Sequence, residues 1–276
     1  RQARRMKPLR EFRISNFEFR IFWSLAGYII LLIAAAALVL RLPRLQQRPM
    51  HGDEAVHAIK FGKLLEEGRY SYDPYEFHGP TLNYLTLIPA HLSSSKKLTQ
   101  ASEFTLRIVP VFFGVLLILL LLLLVDGLGP SAAVYAAILT AISPAMVFYS
   151  RYYIQETLLI SFTFACIVCS YRYIQSKNII WIILAGMSVG LTHATKETSI
   201  IAFGSMFFAV LLTRLWEKPP VKLGAKYLAP RFTRGFRHFF VGLSTGAVIS
   251  VLFYSSFFTN PNGILDSVRS LSLIHI

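Results

Sequence analysis

Long apolar runs alternate along this chain with short polar turns. Seven runs are long and apolar enough to be predicted as membrane-spanning helices, at roughly 21–40, 107–125, 131–149, 157–174, 179–193, 198–213 and 239–258, since about 20 apolar residues cross the ~30 Å hydrocarbon layer. An eighth apolar stretch, Leu82 to Leu92, has about eleven residues, contains Pro89 and carries His91. It is expected to lie at the interface or re-enter rather than span. Ahead of it, Glu54 to Glu67 reads as an amphipathic helix along the membrane surface, with Ala55, Val56, Ile59, Phe61, Leu64 and Leu65 apolar and Lys60, Lys63, Glu66 and Glu67 polar. Gly68, Pro74 and Gly79-Pro80 punctuate the turns that follow. No internal repeat is evident. The pattern predicts an all-α polytopic membrane protein with a long first loop, 41–106, carrying juxtamembrane helices.

Composition agrees: of 276 residues, 54% are hydrophobic and 15% charged. The net charge of +14 does not point to nucleic acid, because the basic residues sit in loops between apolar runs instead of on one soluble face. They do set an orientation. Seven lie in the tail 1–20 and seven between Arg214 and Arg237; both belong in the cytoplasm by the positive-inside rule, and the six spans between them allow it. Loop 41–106 and the turns 150–157 and 192–198 then share the outer face, with ten of the fourteen acids on that side.

Cys166 and Cys169, three apart in an apolar helix, read as packing residues. The first apolar run is too long for a signal-peptide core, so no cleaved leader is expected. The final LSLIHI, 271–276, can be encoded by a transposase adaptor used in sequencing libraries. The natural sequence is therefore expected to continue beyond Ser270 in a longer protein, with 1–20 a basic tail, 21–258 a transmembrane module and 259–270 the start of a further outer segment.

Four polar constellations on the outer face are candidates for chemistry. In HGDEAVH, 51–57, Asp53 either caps the surface helix or serves as a general base, with Glu54 beside it. SRYYIQE, 150–156, is either a solvated connector or a holder of an anionic sugar-bearing head group through Arg151, the tyrosines Tyr149, Tyr152 and Tyr153, and Glu156. In HATKE, 193–197, Lys196 either pairs with its neighbour Glu197 or neutralises a phosphate, with His193 nearby. In EFHGPTLNY, 76–84, Glu76 and His78 flank a tight turn or contribute to a cation site. Gly186 with Gly190, and Gly242 with Gly246, are spaced for close helix packing.

In this order the elements resemble the GT-C membrane glycosyltransferases, nearest the protein mannosyltransferase and aminoarabinose transferase group and its flippase-activity-associated branch of archaeal-type protein glycosylation. The resemblance runs over most of 15–258: an Asp-Glu pair (Asp53-Glu54), a His-Pro-Pro-Leu-Tyr-like motif (His78 to Tyr84, with Gly79 for the first Pro), Ser-Glu-Phe-x-Leu-Arg (Ser102 to Arg107), Ser-Pro…Ser-Arg…acid (Ser143-Pro144, Ser150-Arg151, Glu156, where Asp is commoner) and Thr-Lys (Thr195-Lys196). It implies transfer of a sugar from a polyprenyl-phosphate to a protein or glycolipid acceptor outside a prokaryotic plasma membrane. Asp53 would act as base, and Glu54 and Glu156 would shape the site. His78, Tyr84, Arg107, Arg151, Tyr152, His193 and Lys196 would bind substrate, and a divalent cation would draw on Glu54, Glu76, His78 or Glu156. The rival readings are a lipid-linked-sugar flippase and a non-catalytic member of a glycosylation complex.

Overall fold

The computed structural model describes residues 24–75, 78–216 and 225–273, and every regular element among them is helical. The basic tail, Glu76, and Lys218 and Lys222 of the second basic loop lie outside the described residues.

The first helix, α1 (Leu25–Arg41), starts where the Ser24 hydroxyl accepts the Gly27 N–H at 3.1 Å. Two helices of the loop follow, α2 (Gly52–Glu67) and α3 (Thr81–Leu92). α4 (Glu103–Leu120) is capped by Ser102 and runs on through a 3-10 turn to Leu128. Then come α5 (Pro130–Ile142), α6 (Pro144–Tyr149), α7 (Glu156–Ser176), α8 (Ile179–His193), α9 (Ser199–Trp216), α10 (Ala225–Tyr254) and α11 (Asn262–Leu273).

Each of the seven predicted spans falls on an apolar helix. Four are long and apolar enough to cross a membrane: Glu103–Leu128, α7, α9 and Gly235–Tyr254. α1, α5 and α8 are apolar but shorter. The predicted span 131–149 is two helices, because Pro144 has no N–H to donate and the chain breaks at Ser143. That break frees the last carbonyls of α5, and the fully buried Arg41 takes them. Its Nη1 reaches the Ala141 carbonyl at 3.0 Å and its Nη2 the Thr140 carbonyl at 3.2 Å, while Nε donates to Ser150 Oγ at 2.9 Å. A cation thus satisfies a helix C-terminus that water does not reach.

α1 packs on α4 and α5 through Ile30, Ala34, Ala37, Ile118 and Ala137. α4 in turn packs on α7, α7 on α8 and α8 on α10. The glycine spacing does what it predicts: a Cβ on Gly186 would collide with the Gly242 carbonyl, and one on Gly190 would meet the Gly246 carbonyl at 2.5 Å. Without side chains there, α8 and α10 touch backbone to backbone.

The surface helix α2 departs from its predicted face. His51, not Asp53, is its N-cap, and it forms a capping box with Glu54. Val56 and Ile59, predicted to face the lipid or core with the other apolar residues, are about half exposed, whereas His57 and Lys60 are buried with Ala58, Phe61 and Leu64. α2 is held by α3 and the stretch after it, so packing on protein, not on a membrane plane, decides which residues it buries. α3 keeps Pro89 inside the helix and covers the end of α4.

Candidate active site

The loop helices are fastened to the bundle by one carboxylate. Glu54 is fully buried and accepts five hydrogen bonds: Arg107 Nε and Nη2 at 2.8 Å each, Arg48 Nη2 at 2.8 Å, the Tyr153 N–H at 2.9 Å and the His51 N–H at 3.2 Å. Arg107, at the start of α4, has all five of its N–H groups occupied, two on Glu54 and three on the carbonyls of Leu45, Arg48 and Pro49. Burial alone would raise the Glu54 carboxyl, but the Arg107, Tyr153 and His51 bonds outweigh it and hold it below the ordinary carboxylate range. Glu54 and Arg107 are therefore framework. The sequence reading gave Glu54 to catalysis or a metal and Arg107 to substrate; in the fold the polar atoms of both are engaged by one another and by the protein around them.

That framework fixes the first turn of α2 and leaves Asp53 outside it. The Asp53 side chain is 68% exposed, with Oδ2 3.5 Å from His51 Nδ1. One turn on along the same helix face, His57 is buried beside Gln155, whose Nε2 lies 3.3 Å from His57 Nδ1, and its ring stands 5.9 Å from that of His78. Lys196 Nζ donates to Glu156 Oε1 at 2.8 Å, and the other Glu156 oxygen is buried without a partner, as is Gln155 Oε1. His78 Nδ1 meets Glu197 at 2.9 Å. So Lys196 and Glu197 do not pair with each other; each reaches a different segment, and the turn after α8 is clamped to both the 150–156 turn and the 78–81 turn.

Gly79 explains itself here. A Cβ at Gly79 would collide with the Ala194 carbonyl, the same carbonyl that accepts the Thr81 N–H at 3.2 Å and the Thr81 hydroxyl at 2.6 Å. Where the resembled motif has proline, this chain needs the missing side chain for backbone contact. Gly79→Ala is expected to cost roughly 1–3 kcal/mol of stability, the usual range for overpacking, and to loosen the His78–Glu197 contact; thermal unfolding of the purified variant checks it.

Burial, seconded by the charge of His78, pushes the His57 imidazole down to about 4 from its ordinary 6.5, against the pull of Glu156 and Asp53. His57 is neutral at pH 7. Below about pH 6.5 the unfolded chain binds a proton there that the folded chain refuses, so stability falls as pH drops from about 6.5 to 4, by about 3 kcal/mol in all. His57→Gln is expected to flatten that part of the stability profile, read as unfolding midpoints between pH 7 and pH 4; an unchanged slope would exclude the assignment.

The structure does not bring every residue predicted for the site into this cluster. Tyr84 sits in an aromatic cluster with Tyr70, Phe253 and Phe257. His193 bonds Ser250 at 2.7 Å within the α8–α10 contact. Arg151 donates to the Pro43 carbonyl at 2.6 Å and lines a separate cavity. Tyr152 stands between the two regions, with the Arg48 guanidinium 4.8 Å above its ring and the His51 ring 5.8 Å away. Among the described residues no three His, Cys, Asp or Glu side chains converge where a metal ion could sit. Of the predicted ligands, Glu54 is saturated by arginines, Glu156 holds Lys196 and His78 holds Glu197. His57 and Gln155 join the site although they were not selected from sequence, and Glu197, read there only as a neighbour of Lys196, joins it through His78. For His57 a signal existed, since it lies four residues after Asp53.

The helical bundle is roofed at one end by a long first loop, with the polar cluster beneath that roof. Solved structures share the fold. One is the protein O-mannosyltransferase complex of S. cerevisiae bound to the sugar donor, with 17% identity, a TM-score of 0.67, 86% of this chain covered and 35% of that one. Another is the archaeal oligosaccharyltransferase of Archaeoglobus fulgidus in complex with an inhibitory peptide and a dolichol-phosphate, with 19% identity, a TM-score of 0.60, 92% of this chain covered and 33% of that one. The chain thus spans about a third of the length of these structures. No curated protein matches it by sequence. The family model for dolichyl-phosphate-mannose-protein mannosyltransferases matches residues 86–230, more than half of the chain, and the chain belongs to that family.

Proposed function

We propose that this chain is the catalytic membrane module of a transferase that moves a sugar from a polyprenyl-phosphate to a protein or glycolipid acceptor at the extracytoplasmic face of a prokaryotic plasma membrane. The observation that carries the reading is the exposed carboxylate of Asp53 on a turn immobilised by Glu54 and Arg107, with Lys196 and the half-satisfied Glu156 in the electrostatic surroundings of His57 one turn on. The ligands of the two similar structures, a sugar donor in one and a dolichol-phosphate with an inhibitory peptide in the other, support the donor and acceptor classes. The outward displacement of acids under the positive-inside rule supports the sidedness.

In this reading Asp53 takes the proton of an acceptor hydroxyl or amide as that atom attacks the anomeric carbon. The bond from that carbon to the phosphate oxygen breaks, and the polyprenyl phosphate leaves as a monoester. Lys196, aimed by Glu156, meets the negative charge that grows on the leaving oxygen. Neutral His57 and the unpartnered oxygens of Gln155 and Glu156 accept hydroxyl hydrogens of the sugar.

The test supplies membranes containing the protein with labelled polyprenyl-phosphate sugar and acceptor, and reads label on acceptor. Lys196→Gln is expected to lower kcat by roughly 10²-fold or more with little change in KM. Label that crosses the bilayer without reaching any acceptor in the wild type would favour the flippase and overturn this reading.

A further inference from the structure

Outside the Asp53 site, a cavity of about 380 Å³ opens between the end of α1, the start of the first loop and α6. Its polar wall is Arg44, Arg48 and Arg151; its apolar wall includes Leu40, Ile142 and Phe148. Arg107 also lines it, with every donor occupied. Four arginines and no acid face the space; Glu54, behind Arg48 and Arg107, offsets one of the charges.

The three outer arginines keep donors in reserve. Arg48 donates once, to Glu54, and lies over Tyr152 and Phe148. Arg151 donates once, to Pro43. The Arg44 guanidinium has no partner among the described residues, and its backbone is held in the left-handed region, φ 58°, which a non-glycine residue seldom adopts. Guanidinium groups collected with open N–H forks suit phosphate oxygens above all other biological anions. The apolar wall says what the phosphate is attached to. Leu40, Ile142 and Phe148 are 48%, 61% and 52% exposed and continue the lipid-facing sides of α1 and α5 up to the arginines. Phosphate above and hydrocarbon below is the chemistry of a lipid head at a bilayer edge.

We propose that this cavity is a second anionic site, distinct from the Asp53 site, that binds the phosphate of a membrane lipid on Arg44, Arg48 and Arg151 while the first carbons of its chain run over Leu40, Ile142 and Phe148. Polyprenyl monophosphate and an ordinary anionic phospholipid both present this chemistry. Lys196 does not line this cavity; its ammonium is paired with Glu156.

The experiment places the purified full chain in phosphatidylcholine nanodiscs doped with either polyprenyl monophosphate or phosphatidylglycerol and counts retained anionic lipids by native mass spectrometry. The wild type is expected to keep an anionic lipid that Arg44→Gln/Arg151→Gln loses roughly tenfold or more, while Lys177→Gln, at the far end of α7 from both sites, keeps it. The doped lipid that shows this loss identifies the source. Should the double variant fold poorly, Arg44→Gln alone, at a side chain with no partner among the described residues, is expected to lower retention roughly threefold or more. Equal retention in wild type and arginine variants with both lipids overturns the site. So does displacement by inorganic phosphate at concentrations equal to the lipid, which would make it a site for a free anion. Because the readout is retention and not transfer, loss of transfer in Asp53→Asn leaves this proposal untouched.

Discussion

Asp53→Asn is expected to reduce sugar transfer by roughly 10²- to 10⁴-fold, the range a positioned general base contributes, while the protein folds and melts as the wild type does. The two halves of that result come from the same geometry. Asparagine keeps the size of the side chain but cannot take the acceptor proton. The side chain is 68% exposed, its one close ionic neighbour is His51, also exposed, and the cap and capping box of α2 belong to His51 and Glu54. Losing the charge therefore removes no buried contact, and such surface changes ordinarily stay within about 0.5 kcal/mol. The expected kinetic signature is a fall in kcat with KM nearly unchanged, since the proton transfer is made only in the transition state. Transfer at the wild-type rate by Asp53→Asn would remove Asp53 from the chemistry.

The neighbouring carboxylate is expected to behave in the opposite way. Glu54→Ala leaves the Arg107 guanidinium, 1% exposed, without its counter-charge and strips acceptors from Arg48 and from the Tyr153 and His51 amides. Removing one partner of a buried pair costs roughly 3–5 kcal/mol, which is a large share of a domain's stability. The variant is expected to unfold at markedly lower temperature or denaturant concentration and to lose activity as a consequence. Replacing both partners, as in Glu54→Leu/Arg107→Met, is expected to recover much of the stability, because no charge is then left buried and alone. A Glu54→Ala protein as stable as the wild type, but inactive, would return Glu54 to the catalytic group.

This pair shows how far the sequence could be read. Asp53 and Glu54 are adjacent carboxylates on the same polar stretch, and nothing in their own side chains says which is buried. The capping-box spacing of His51 and Glu54 was present in HGDE, but His is an uncommon cap, and Asp53 is the commoner choice for that position. The partner that decides the matter, Arg107, lies 53 residues away.

The same limit applies to α2. Its helical span was legible from the apolar periodicity, whereas its buried face was not, because Tyr70, Gln155 and His78 supply polar and aromatic neighbours for Lys60 and His57. The cavity of Arg44, Arg48 and Arg151 was legible only in part: Arg151 was read as a candidate for an anionic head group, whereas Arg44 and Arg48 were counted only as loop charge.

By itself the sequence determined what local composition can determine: helices rather than strands, their approximate bounds, the glycine faces of α8 and α10 and the set of polar turns that share one end of the bundle. Burial length and hydropathy are properties of a continuous stretch, so they survive without knowledge of neighbours. Only the tertiary structure decided which ionisable groups are framework and which are free. A carboxylate becomes structural when distant donors saturate its oxygens, and reactive when they leave one open, and those donors are chosen by the fold.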